Sequence, residues 1–206
     1  MRVPAWAALA VLCLSGAASA QTPSGRSGMS SSERAANINA YRELQVLGAC
    51  FARTQRREAL AIMAATQGSR EESELLRRSF YGERETCMGG GDQMQMPSVF
   101  ARGAIAEGLL MSGGVPPEQR LPAPAQVRDL GGAGRCFAAG HAAEIRALLQ
   151  TRIGSAEETA AVTALWPAFR TCIPRFQIRL NAVWIRYILA EGLLTLAPAS
   201  PAPAGN

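Results

Sequence analysis

The sequence predicts an all-α protein: two tandem, disulfide-tied helical repeats packed as one bundle-like domain. A nonapeptide, RGAIAEGLL at residues 102–110, returns as RYILAEGLL at residues 186–194. Two upstream segments, Gly-x-Cys-Phe-Ala starting at Gly48 and Gly-Ser-x-Glu-Glu starting at Gly68, both recur 86 residues later. The offset is 85 residues at the second cysteine of each half and 84 at the nonapeptide. Such near-constant spacing over several motifs indicates an internal duplication.

Helix starts and flexible connections divide the chain further. Serine and glutamate three residues apart predict capping boxes at residues 30–33, 69–72 and 155–158. Small residues in the first nonapeptide let another backbone approach closely, so we expect both nonapeptide helices in the centre of the fold. The predicted boundaries are 1–20 for a signal peptide, 21–29 for a disordered linker, 30–111 for repeat 1, 112–125 for a Pro/Gly linker, 126–196 for repeat 2 and 197–206 for a disordered tail.

The first twenty residues have the pattern of a secretory signal peptide. Arg2 gives a basic start, residues 5–14 are apolar, and Ala-Ser-Ala at residues 18–20 is a small-residue cleavage site. The apolar run is too short to span a bilayer stably. We therefore expect cleavage after Ala20 and a mature protein in the periplasm or secreted from the cell.

Removal of the signal peptide leaves four cysteines, an even number in a chain exported to an oxidising compartment. Four cysteines allow three disulfide connectivities, and the duplication favours Cys50–Cys87 with Cys136–Cys172 because each half then carries the same bond. A four-cysteine metal site is the competing interpretation. It is disfavoured because no two cysteines have the Cys-x-x-Cys spacing, so no metal is expected.

The charge of the chain is mildly positive. All 21 basic residues are arginine, and 16 acidic residues leave a formal net charge of +5. This balance suits weak attraction to anionic envelope components, but the scattered arginines and few aromatics do not indicate nucleic-acid binding. The apolar segment 180–197 contains Arg186 and Glu191, which favours a core helix over a membrane span in the mature chain.

Few residues have the chemistry of a catalytic or cofactor site. His141 is the only histidine, and it aligns with Gln55, so a solvent-facing residue is expected rather than a triad member. Asp92 and Asp129 are the only aspartates, and neither lies in a calcium-loop pattern. The three glycines at residues 89–91 lack the Lys-Ser/Thr of a phosphate-binding loop. No cofactor is predicted.

The most informative polar residues are Glu107 and Glu191, one in each nonapeptide. Each lies among apolar residues in a helix expected to be buried, where a carboxylate is costly unless it is paired or protonated. Arg102 and Arg186 lie five residues earlier, off the helical contact spacings, so we expect each partner to come from another helix. The alternative is a carboxylate dyad for acid–base chemistry such as glycoside cleavage.

The order Cys-Phe, Gly-Ser-x-Glu-Glu, Cys and Arg-x-x-x-Ala-Glu-Gly-Leu-Leu resembles uncharacterised exported alphaproteobacterial proteins with a repeated two-cysteine helical unit. The resemblance covers residues 48–110 and 134–194. It implies an exported helical protein and carries no activity and no catalytic residue with it.

Three functional hypotheses follow. The first is a non-enzymatic protein that binds a partner protein or an envelope component, which predicts an exposed apolar or arginine-rich face and no deep polar pocket. The second is a small hydrolase with Glu107 and Glu191 opening into one cleft. The third is a carrier of a small apolar ligand, with a closed apolar cavity between the repeats.

Overall fold

The computed structural model describes residues 31–80, 87, 98–173 and 180–197. These residues form an all-α fold, as predicted. The predicted signal peptide (1–20), the disordered linker (21–29), the first serine of the capping box at 30–33, and the tail from residue 198 onward lie outside the described residues, as do Asp92 and the glycines at 89–91. The described part contains seven α-helices: α1 (Ser31–Thr54), α2 (Arg56–Ala64), α3 (Arg70–Phe80), α4 (Ser98–Met111), α5 (Leu130–Gln150), α6 (Ala156–Phe169) and α7 (Ala182–Thr195).

The helix starts follow from side chains that satisfy the free amides of a first turn. The Ser69 and Ser155 hydroxyls each accept the amide of the glutamate three residues later, at 3.1 Å. Those two glutamates, Glu72 and Glu158, bond back to a backbone amide one residue before the serine. At the start of α5, Asp129 accepts an amide in the same way, at 2.6 Å.

The helical path breaks at corresponding places in the two halves of the chain. Gln55 separates α1 from α2 with φ −127° and ψ 45°. His141, 86 residues later, interrupts α5 with φ −134° and ψ 30°. The part of α5 before His141 therefore corresponds to the end of α1, and the part after it corresponds to α2.

The two nonapeptide helices, α4 and α7, lie at the centre of the fold, as expected. Nearly all residues of both helices are buried. Helix α1 crosses α4 where Gly48 and Gly108 meet, and α5 crosses α7 where Gly134 and Gly192 meet. A Cβ atom at Gly134 would overlap the backbone carbonyl of Ile188, so these crossings need glycine for the close approach of the two backbones.

The two predicted disulfides are confirmed. Cys50–Cys87 ties α1 to the segment after α3, with 5.7 Å between the Cα atoms. Cys136–Cys172 ties α5 to a 3₁₀ turn after α6, with 5.9 Å between the Cα atoms. Two structural disulfides are typical of an oxidising, extracytoplasmic compartment. Within the described ranges, no helix has the length and apolar character needed to cross a membrane.

The segment between the halves is ordered against the end of α7. It forms a 3₁₀ turn at Pro117–Gln119. Leu121 then pairs with the chain after α7: its amide donates to the Thr195 carbonyl at 2.6 Å, and its own carbonyl accepts from the amide of Ala197 at 2.8 Å. The linker is thereby held beside the start of α5, where it forms one side of the site described next.

Candidate functional site

A buried arginine between two carboxylates forms the first part of the site. The Arg102 side chain, on α4, donates from Nε and Nη2 to Oε1 of Glu191 on α7, at 3.0 and 2.6 Å. Its Nη1 lies 3.2 Å from Oε1 of Glu72 at the start of α3. All three side chains are at most 5% exposed. We call Arg102, Glu191 and Glu72 the open cluster.

Arg102 also satisfies the free carbonyls at the end of α2. Its guanidinium donates to the carbonyl oxygens of Ile62, Met63 and Ala65 at 2.6, 3.2 and 3.0 Å. A cation is favourable at a helix C-terminus, where unpaired carbonyls concentrate negative partial charge. The open cluster therefore joins the end of α2, the start of α3 and the two central helices.

A similar arrangement surrounds Arg186, in which the arginine lies on α7 and its glutamate partner lies on α4. Arg186, on α7, donates to both carboxylate oxygens of Glu107 on α4, at 2.6 and 3.1 Å. Its Nη1 lies 3.2 Å from Glu158 at the start of α6. It also donates to carbonyl oxygens at the end of α5, those of Leu148, Leu149 and Thr151. We call Arg186, Glu107 and Glu158 the covered cluster.

Both arginines stay charged in these clusters. Burial alone lowers the pKa of the Arg102 guanidinium, but the charge and hydrogen bonds of Glu191, with Glu72 behind it, raise that pKa above its usual value. At Arg186 burial again acts to lower the pKa, and Glu107 and Glu158 raise it. Each cluster therefore holds two carboxylates against one permanent cation.

The clusters differ in the side chain that contacts the central-helix glutamate, Glu107 in one cluster and Glu191 in the other. In the covered cluster, the Gln45 amide donates to Oε1 of Glu107 at 2.6 Å. The residue 86 positions later is Gly131, which has no side chain to do the same for Glu191. Both hydrogen bonds from Arg102 end on Oε1 of Glu191, and within the described residues Oε2 accepts none. The carboxylate of Glu191 therefore lacks the amide partner that Glu107 has, although both side chains are buried, at 5% and 7% exposed.

A cavity of about 340 Å³ lies beside Glu191. Its wall comes from the end of α2 and the following turn, from α4, from the linker, from the start of α5 and from α7. Five charged residues line it: Arg102, Glu118, Asp129, Arg135 and Glu191. Glu107 is not among the lining residues, so the two nonapeptide carboxylates do not meet in this cavity.

Two further polar atoms of the cavity wall are buried without a hydrogen-bond partner among the described residues. One is Oε1 of Gln119, in the linker, which is an acceptor; the other is Nε of Arg135, on α5, which is a donor. A buried polar atom without a partner loses the hydrogen bond that it makes in water. Because almost none of their surface is accessible, neither atom faces the cavity space itself.

The sequence analysis singled out Arg102, Arg186, Glu107 and Glu191, and the structure pairs each arginine with the glutamate of the other central helix. It did not connect Glu72 and Glu158 with these pairs, because the capping-box spacing already explained them. Glu72 and Glu158 recur at the common offset of 86 residues, as the arginine and glutamate of the nonapeptides recur at 84, and this recurrence could have linked them. The difference between Gln45 and Gly131 could not be found from the recurring motifs, because neither residue belongs to one.

The remaining candidate residues lie elsewhere. The His141 ring stacks on Phe137 with centroids 4.3 Å apart, and its Nδ1 lies 3.3 Å from the Glu144 carboxylate at the surface. Asp129 lines the cavity and caps α5. In the part of the chain that the structure describes, no three His, Cys, Asp or Glu side chains are grouped as a metal ion requires.

Comparison of the chain with family models, with curated proteins and with solved structures gave no match. The geometry of the two clusters and of the cavity is therefore the basis for the functional argument.

Proposed function

We propose that this chain is an exported, non-enzymatic binding protein that holds a small polar molecule in the cavity beside Glu191. The observation that carries the proposal is the difference between Glu107, which Gln45 covers, and Glu191, which opens into a cavity of about 340 Å³. A concave site with a few convergent polar groups is the usual form of a small-molecule site. The buried charge supplies recognition, and the disulfide-tied helices keep its groups in place.

The proposal includes a tandem duplication, with repeat 1 at residues 30–111 and repeat 2 at 126–196. The matching arginine clusters, helix breaks and glycine crossings 84 to 86 residues apart support it. Each repeat contributes its arginine to the glutamate of the other, so neither repeat completes a cluster alone. The proposed binding site lies where repeat 2 has Gly131 in place of the Gln45 of repeat 1.

The proposal also includes export through the signal peptide, with cleavage after Ala20 into the periplasm or the medium. The disulfides support an oxidising destination. N-terminal sequencing of the exported protein is expected to begin at Gln21. A mature chain that retains the first twenty residues would contradict this part of the proposal.

The charged groups of the cavity wall support one functional hypothesis over the two others below. A hydrolase based on Glu107 and Glu191 needs both carboxylates in one cleft, whereas Glu107 is held by Arg186 and Gln45 away from the cavity. A carrier of an apolar ligand needs an apolar wall, whereas this wall carries five charged residues. Binding of a small polar molecule is therefore favoured over both.

Binding to a partner protein or an envelope component is less supported. This hypothesis predicted no deep polar pocket, whereas a partly polar cavity is present. In the described residues the exposed large apolar side chains are Val46, Met111 and Leu121, which lie on α1, at the end of α4 and in the linker. They are single residues on three elements, and single exposed apolar residues need no partner.

The test uses the mature, oxidised full chain and native mass spectrometry after incubation with a periplasmic small-molecule extract. We expect the wild-type chain to retain a bound mass that Gly131→Gln loses, because the added side chain fills the cavity. The matched control is Gly140→Gln, on the same helix, where an added Cβ atom has no neighbouring atom within 4 Å. No retained mass, or equal retention by Gly131→Gln, would refute a binding function at this cavity.

A further inference from the structure

We propose that the cavity beside the open cluster selects a small organic cation, which donates from an ammonium, amidinium or guanidinium group to Glu191. This inference rests on the proposed function and adds the chemical class of the ligand. Its starting point is the covered cluster, because the same protein shows there what a completed cluster contains. An N–H donor from Gln45 lies 2.6 Å from the Glu107 carboxylate. The open cluster lacks that donor, and a ligand N–H group takes its place.

The space for this donor lies directly above Gly131. Three charged atoms surround the point that a Cβ atom at Gly131 would occupy: Oε1 of Glu191 at 3.5 Å, Oδ1 of Asp129 at 3.6 Å and Nη1 of Arg135 at 3.7 Å. Two of the three are carboxylate oxygens, and the third is a guanidinium nitrogen. The wall therefore offers more acceptors than donors to a bound molecule.

The charge of the wall favours a cation over a neutral donor. Three carboxylates line the cavity, those of Glu118, Asp129 and Glu191, against the two guanidinium groups of Arg102 and Arg135. Glu72 adds a further carboxylate behind Arg102. Glu118 and Asp129 are exposed, so the buried excess is that of Glu191 and Glu72 over Arg102. Since buried charges interact more strongly than charges in water, a ligand with one positive charge offsets this excess and makes charge-assisted hydrogen bonds.

Arg135 gives the cavity a second preference. Its Nη1 lies 3.7 Å from the point that a Cβ atom at Gly131 would occupy, so one donor also faces this space. A ligand that carries an acceptor beyond its cationic group makes one more hydrogen bond than a simple cation. The cation remains the deciding feature, because Glu191 is nine-tenths buried or more and because its counterpart in the other half, Glu107, accepts from an N–H donor.

Three probes of nearly equal size separate charge from shape: acetamidinium, acetamide and acetate. Each is titrated into the mature, oxidised chain, and binding is followed by the backbone amide NMR signals of Gly131 and Gly132. We expect saturable shifts with acetamidinium, binding of acetamide weaker by about tenfold or more, and no saturation with acetate, because a hydrogen bond between charged groups is the stronger one.

Variants then locate the binding. Gly131→Gln is expected to remove the acetamidinium shifts, and Gly140→Gln is expected to keep them. Glu118→Gln removes one carboxylate at the exposed rim without touching either cluster, and it is expected to weaken acetamidinium binding several-fold while acetamide binding stays the same. Retention of the full shifts in Gly131→Gln, with its helical circular dichroism intact, would place the cation elsewhere and overturn the inference.

The outcomes distinguish this inference from the proposed function. Saturable binding of acetate or acetamide in preference to acetamidinium, blocked by Gly131→Gln, would keep the cavity as a binding site and overturn the cation as its ligand. Saturation by none of the three probes would also overturn the inference. The proposed function is judged separately, by the mass retained from the extract.

Discussion

The open and covered clusters each contain one arginine and two glutamates in a similar arrangement, yet only the open cluster lines the cavity described above. In both, an arginine joins a helix C-terminus, a helix start and the opposite central helix. The difference lies in the helix that carries the first cysteine of each half. Helix α1 places Gln45 over Glu107, whereas α5 places Gly131 near Glu191. One missing side chain thus separates a structural ion pair from a candidate binding site.

The lengths of α1 and α5 explain why the cavity is not filled by other residues. Leu130, the first residue of α5, corresponds to Leu44, but α1 begins at Ser31. The additional turns of α1 pack on the second half, where Arg42 donates to the Ile153 carbonyl at 3.0 Å. On the open side the linker takes that place without closing the cavity. The two halves therefore have matching core helices. The residues that cover each cluster differ, because the chain before Leu44 is helical and the chain before Leu130 is the linker.

The largest expected effect comes from removing an arginine. Arg186→Met leaves Glu107 and Glu158 buried without their cation, and we expect a loss of about 3–5 kcal/mol in the free energy of unfolding. Arg102→Met is expected to cost less, because Arg186 binds both oxygens of Glu107, whereas both bonds from Arg102 end on one oxygen of Glu191. Guanidinium unfolding with the disulfides intact measures both. The control is Arg57→Met, whose side chain is 88% exposed. A larger loss at Arg102 than at Arg186 would reverse the assignment of the open and covered sides.

The next effect tests whether the two halves are equally dependent on their cross-links. Replacing both cysteines of either disulfide by serine is expected to cost about 2–4 kcal/mol, because the bond limits the unfolded chain. The two values should be similar, since the bonds join residues separated by 37 and 36 positions. Chemical denaturation of the two double variants measures this. A protein that tolerates loss of one bond but not the other would show unequal halves.

A smaller loss of stability is expected when the Gln45 side chain, which contacts Glu107, is removed. Gln45→Ala removes one donor from the Glu107 carboxylate, which keeps its bonds to Arg186, and is expected to cost about 1.5–3 kcal/mol, the range for a hydrogen bond to a charged group. Alanine is a better helix former than glutamine, so a lower free energy of unfolding cannot be caused by helix propensity. Glu43→Ala, on the exposed side of the same helix, is the control. An unchanged stability of Gln45→Ala would mean that coverage does not distinguish the two clusters.

The sequence allowed the shared features to be predicted, and the reason is physical. Disulfides, capping boxes and the central helices recur at a fixed offset, because they satisfy local requirements that both halves have. The pairing of Arg102 with Glu191 could not be read from helical spacing, since it joins two helices across the centre of the fold. The cavity could not be predicted either, because it depends on the path of the linker and on a residue that is absent at Gly131.

The smallest effect concerns an alkaline transition that reports on the covered side alone. Tyr187 is fully buried, and burial, together with the charge of Glu107, raises the pKa of its phenol above the usual value of about 10. The corresponding residue of the other nonapeptide is Gly103, so the open side has no such group. The neutral phenol contributes its full stability below pH 10, and this contribution falls as the pH rises, because the unfolded chain releases the proton first.

We expect the free energy of unfolding to fall by about 1 kcal/mol between pH 10 and pH 11 from this group. The chain contains no lysine, and both cluster arginines have a pKa raised above its already high value, so these cations add no loss in that range. Tyr187→Phe gives up the hydroxyl bond to the Tyr41 carbonyl at every pH, but its stability should decline less steeply above pH 10. Denaturation curves at pH 8, 10 and 11 measure the slope. An equal slope in the variant and the wild-type chain would mean that the alkaline loss arises outside the covered cluster.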